Sequence, residues 1–136
     1  MWVRPWILQR QLFGIYDQLL VELRNKDPCG FKMFLRMTPG MFDELLYQLI
    51  PSLTNHTTNL REPLEPGLKI GIALRHLASG SKYADMQFGW RVPSNTITGV
   101  VKEVCQAIIV EYLDKLMSCP STPDEWQQVA NKFKQK

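Results

Sequence analysis

The sequence predicts an all-α fold, a multi-helix bundle containing a helix-turn-helix, and three observations carry that reading. Apolar residues recur at three- and four-residue spacings in segment after segment, as one face of a helix requires. No stretch alternates apolar and polar residues as a half-buried strand would. The nine prolines are spread along the chain, so they punctuate elements and form no low-complexity tract. At 136 residues, 45% hydrophobic and 21% charged, the chain is long enough for one domain with its own core. Residues 1–136 therefore read as a single helical domain without internal repeats.

A first helix is expected over residues 6–23, where Ile7, Phe13, Leu19, Leu20 and Leu23 recur at helical spacings and Gly14 is a weak interruption. A cluster of breakers at 25–30 ends it, and a short amphipathic turn follows at 31–35. Thr38-Pro39 starts the next helix, because threonine can cap free amide protons and proline at the first position gives up no bond. Met41, Phe42, Leu45, Leu46, Leu49 and Ile50 make its stripe, Asp43 and Glu44 favour its early turns, and Pro51 ends it. Residues 52–65, His56 among them, are polar and read as a surface loop.

Pro66 begins a helix carrying Leu68, Ile72, Leu74 and Leu77, and Gly80 closes it as a left-handed cap. Ser81 is expected to cap a short helix through Trp90, with Arg91-Val92-Pro93 as a corner. Ser94 is expected to cap a long helix to Met117, whose apolar face is Ile97, Val100, Val101, Val104, Ile108 and Leu116. Thr122-Pro123-Asp124-Glu125 repeats the capped start, and the last helix carries Trp126, Val129, Ala130 and Phe133.

Residues 81–117 carry the most specific signal. A helix-turn-helix needs buried apolar positions on both helices and a tight corner between them. Met86 and Trp90 supply the first helix, Val92 the corner, and Ile97 with Val100 the second. Ser94, Asn95, Thr96 and Thr98 stand at the front of that second helix, where such helices meet base edges and phosphates in the major groove. Lys82, Arg91 and Lys102 could touch the backbone of double-stranded DNA. Two features weigh against DNA: Arg91 stands where glycine is usual, and Lys102 is followed by Glu103. The same pattern also serves plain bundle packing. A second candidate site is Trp2, Arg4 and Trp6, whose aromatics either fasten the first helix to the core or anchor a partner protein.

Other chemistry is sparsely represented. The net charge of +3 permits nucleic acid without demanding it. Cys29, Cys105 and Cys119 fit neither a disulfide framework nor a zinc site. The N-terminus lacks a signal-peptide run and no stretch reaches membrane-span length, so an intracellular, soluble protein without a membrane partner is expected. His56 and His76 have no sequence-local acid or nucleophile, and the glycines form no phosphate loop. No catalytic residue, metal site or cofactor is expected in this chain.

The same residues carry a resemblance. Trp2-Val3-Arg4-Pro5-Trp6, the Phe13-Gly14 and Tyr16-Asp17 pairs, and Phe42-Asp43-Glu44-Leu45-Leu46 resemble the start of PIF/Harbinger transposases and the nucleases derived from them. Leu74-Arg75-His76-Leu77-Ala78-Ser79-Gly80, Asn95-Thr96-Ile97, Val101-Lys102-Glu103-Val104-Cys105-Gln106-Ala107-Ile108 and Pro123-Asp124-Glu125-Trp126 extend the likeness along essentially the whole chain. The resemblance implies a helical, DNA-engaging N-terminal domain. In that family an RNase H-like domain follows, where three acidic residues bind divalent metal and cut DNA. Its first acid would fall after the last helix read here, so no catalytic residue carries over. The resemblance also implies a nuclear protein, with the cytoplasm left open, and a Myb-like partner that shares DNA recognition. The alternative is an interaction module that binds a Myb-like or chromatin partner without touching DNA.

Overall fold

Residues 66–79 explain the architecture, because eight consecutive positions from Gly67 to Leu74 are buried and a helix apolar on every side belongs at the centre of a bundle. The computed structural model describes residues 3–53, 64–117 and 119–135. In chain order the α-helices are α1 (Pro5–Leu8), α2 (Arg10–Phe13), α3 (Leu20–Lys26), α4 (Pro28–Leu35), α5 (Pro39–Leu53), α6 (Pro66–Ser79), α7 (Tyr83–Trp90), α8 (Ser94–Leu116) and α9 (Pro123–Lys134). A π-helical turn, Ile15–Leu19, leads into α3. Among the described residues there is no strand.

Helix α6 packs against α4, α5 and α8, and α7 rests on α8 and the π-helical turn. The core joins Phe31 and Leu35 of α4, Phe42 and Leu49 of α5, Ile70 and Ile72 of α6, and Trp90, Ile97 and Val104 beyond. Phe31 and Phe42 meet edge to face with ring centroids 5.8 Å apart. A side chain at position 71 would come within 3.2 Å of the Trp90 ring, so glycine there lets the indole lie against the α6 backbone.

One charge lies inside this core. Lys69, only 2% exposed, donates from Nζ to the Leu53 carbonyl at 3.1 Å and to Glu103 Oε1 at 3.0 Å. The ammonium satisfies a carbonyl in the last turn of α5, where a cation is favoured, while a carboxylate of α8 balances it. Three helices are thus tied by one side chain.

Several boundaries differ from the sequence reading. The expected helix over 6–23 is broken, because Gly14 is extended (φ −73°, ψ 153°) and a π-helical turn follows it. Ile15 and Tyr16 then pack on the core while Phe13 is left exposed. The turn at 31–35 is a full helix from Pro28, with Asp27 accepting from the Gly30 amide at 3.0 Å; the proline among the supposed breakers is a helix start. Pro51 does not stop α5, which runs to Leu53. The donor it lacks leaves the Tyr47 carbonyl, four residues back, without a helical partner, and Tyr47 lies on the exposed side where water can reach it. Thr38 caps α5 and Gly80 closes α6 at φ 67°, both as expected. The expected loop at 52–65, with His56, falls mostly outside the described residues. On the expected stripes, Met41, Ile50, Leu77 and Leu116 are exposed.

Candidate nucleic-acid interface

Helix α7, a three-residue corner and helix α8 pack as the sequence anticipates. Met86, Trp90, Val92, Ile97 and Val100 are all buried, so the two helices share one apolar wedge. The corner residue Arg91 adopts a left-handed conformation (φ 55°, ψ 46°), which costs a non-glycine residue about 1–2 kcal/mol. Its side chain offsets that strain. Nη1 donates to the Trp6 carbonyl at 2.9 Å, and the guanidinium lies over the Phe13 ring, 5.2 Å from its centre. Nε is buried with no partner. Arg91 therefore latches the corner to the first segment of the chain, and its charge is turned inward, away from the surface a duplex would meet.

The remaining candidates separate along α8. Position 94 is the first residue of the helix, not its cap; the flanking residue is Pro93, whose side chain has no acceptor to cap this end. Asn95 is exposed, and its Oδ1 accepts from the Thr96 amide at 2.9 Å. Thr98 is exposed and donates from its hydroxyl to the Ser94 carbonyl at 3.1 Å. Lys102 is exposed on the same side, two turns further on. Thr96 is half-buried and points off this face. Lys82 is exposed at the start of α7, where it, and not Ser81, is the flanking residue. Ser81 instead shares a 2.7 Å hydrogen bond with the Ser79 hydroxyl and offers its carbonyl to His76 Nδ1 at 2.9 Å, so His76 serves to pin this turn.

Helical spacing adds two residues to the face. Gly99 and Gln106 are exposed in register with Asn95, Thr98 and Lys102, giving a polar stripe at 95, 98, 99, 102 and 106. The sequence holds that signal, since the spacing is three, four and seven residues from Asn95 or Lys102. Gly99 has open space beyond its Cα, so an approaching backbone would meet no side chain there.

The two candidate sites meet at the front of α8. Val3, Arg4, Ile7, Gln87, Pro93, Ser94 and Asn95 line a shallow cleft of about 260 Å³. Arg4 thus stands beside the polar front of the helix, separate in sequence but joined in space. Trp6 is half-buried and stacks on Phe88 of α7 at 5.6 Å, which is the fastening role. Trp2 lies outside the described residues. Among the described residues no three His, Cys, Asp or Glu side chains converge as a metal site, and no helix is long and apolar enough to cross a membrane. No protein-family model, curated protein or solved structure matches the chain.

Proposed function

We propose that this chain is a DNA-engaging helical domain of the Harbinger type, in which α7, the corner and α8 act as a helix-turn-helix. The observation that carries the reading is the exposed polar stripe of Asn95, Thr98, Gly99, Lys102 and Gln106 on α8, beside the cleft that brings Arg4 to Ser94 and Asn95. Such a face lies in a major groove with its amides toward base edges, while Arg4, Lys82 and Lys102 neutralise phosphates. Strand cleavage belongs, on the family resemblance, to acidic residues of a separate domain, and the protein acts in the nucleus.

Fluorescence anisotropy on a panel of duplexes at several salt concentrations tests this. Lys102→Ala and Arg4→Ala should each lower the slope of log affinity against log salt by about one unit and weaken all duplexes alike. Asn95→Ala or Gln106→Ala should instead erode preference among sequences, by about 1–3 kcal/mol at the affected base pair. Absence of duplex binding at low salt, or four variants indistinguishable from wild type, would remove the reading.

A specific observation also favours a protein partner beside the same face. Leu8, Leu12, Phe13 and Phe88 of this region are exposed, Phe88 stacked on Trp6, and they offer apolar surface to a Myb-like protein.

A further inference from the structure

The exposed face of α8 changes character along its length. From Asn95 to Gln106 it is polar, but the same side then carries Ile109, Val110, Leu113, Leu116 and Met117, all exposed, with Val110 at 79%. The core stripe of α8 is Ile97, Val100, Val101, Val104 and Ala107, so the later residues form a second apolar stripe that the bundle does not cover. Helix α9 repeats the situation: Trp126 and Phe133 are 57% and 75% exposed, and no residue of α9 is buried.

We infer that α9 and the outer end of α8 form a two-fold interface with a second copy of this chain, α9 lying antiparallel to its counterpart. Charge and area point to that occupant. Trp126, Val129, Ala130 and Phe133 fall on one side of α9, and Glu125 and Lys132, seven residues apart, share one flank of it. In an antiparallel pair centred near Val129, Trp126 faces Phe133 of the other copy and Glu125 faces its Lys132. The surface is therefore complementary to itself under two-fold rotation, as an isologous interface requires. The Glu125 carboxylate is already oriented, since Oε2 accepts from the Ser121 amide at 2.7 Å. Seven large apolar residues, Ile109, Val110, Leu113, Leu116, Met117, Trp126 and Phe133, are each 49–79% exposed, the kind of surface that an interface of about 800 Å² per partner covers.

Light scattering coupled to size-exclusion chromatography, without DNA and over about 1–100 μM protein, decides it. Wild type should rise from 15.8 kDa toward twice that mass with concentration. A Trp126→Ala, Phe133→Ala double variant should stay monomeric while keeping the thermal unfolding midpoint of wild type at monomeric concentration, because no residue of α9 is buried in the core. Lys132→Glu and Glu125→Lys should each be monomeric alone, and an equimolar mixture should regain the dimer mass. Wild type monomeric at every concentration, a dimer that survives the double variant, or a mixture that stays monomeric would overturn the proposal and leave this face to a different partner.

Discussion

The two halves of α8 have nearly the same apolar content and opposite circumstances. Up to Ala107 the helix buries Ile97, Val100, Val101, Val104 and Ala107 against α5, α6 and α7 and turns a polar face outward. Beyond Ile108, Tyr112 still packs against the core, but Ile109, Val110, Leu113, Leu116 and Met117 are outside. Tertiary packing supplies most of the stability of a helix in a protein, because isolated helices of this length are marginal. The front half is thus held by its neighbours. The back half depends on propensity, on i,i+4 pairs such as Lys115 with Glu111 at 2.7 Å, and on whatever covers its outer stripe.

Substitution at matched apolar positions should expose the largest difference. Ile97→Ala, at a fully buried site, should cost about 2–5 kcal/mol in urea denaturation. Leu113→Ala, measured at monomeric concentration, should stay within about 0.5 kcal/mol of wild type. Equal costs would mean that the back half is packed after all.

The buried charge sharpens the comparison at the next level. Glu103→Ala removes the counter-charge of Lys69 and leaves an ammonium inside the core with only the Leu53 carbonyl. Breaking a buried pair costs about 3–5 kcal/mol, and because the Glu103 side chain is 33% exposed the expected loss is about 2–3 kcal/mol. Lys69→Met, which removes the charge itself, should cost less than Glu103→Ala. A Lys115→Ala change in the back half should be nearly silent, since that pair is exposed. Reversal of this order in thermal unfolding would deny Lys69 its role.

The smallest effects concern helix starts. Thr122 accepts from the Glu125 amide at 3.2 Å, so Thr122→Ala should cost about 1 kcal/mol of α9 helicity, read by circular dichroism, with the bundle midpoint unmoved. Ser94→Ala should cost almost nothing, because the side chain that accepts a first-turn amide of α8 is Asn95 and not Ser94. A Ser94→Ala loss as large as that of Thr122→Ala would restore the capping role the sequence suggested.

The all-α class and most helix starts were legible because they rest on local chemistry. Thr38-Pro39, Pro66 and Thr122-Pro123 declare themselves through capping oxygens and a proline that lacks a donor. The break at Gly14 and the π-helical turn were not legible, since they answer to how Tyr16 and Leu20 meet the core, a contact between distant segments. Pro51 misled for a related reason: burial of Leu49 and Leu53 on either side of it outweighs the one helical bond it withholds. On the candidate face, Asn95, Thr98 and Lys102 follow from helical spacing, and Gly99 with Gln106 follow from the same spacing once the exposed side is known. Arg91 could not be placed, because spacing gives the position of a corner but not the direction of a long side chain. Nor could the exposure of Leu116, because an apolar residue at helical spacing looks the same whether or not a neighbour covers it.

The Arg91 latch also has a consequence in time. It joins residues 85 positions apart, so Trp6 leaves the ribosome long before the guanidinium that grips it exists. Closing so long a loop is entropically slow compared with forming α7 or α8, whose contacts are local. The contacts that relieve the left-handed corner therefore come from the first segment, and arrive only when that segment folds back onto it. A change in the first segment would thus be felt 85 residues away, at the front of α8.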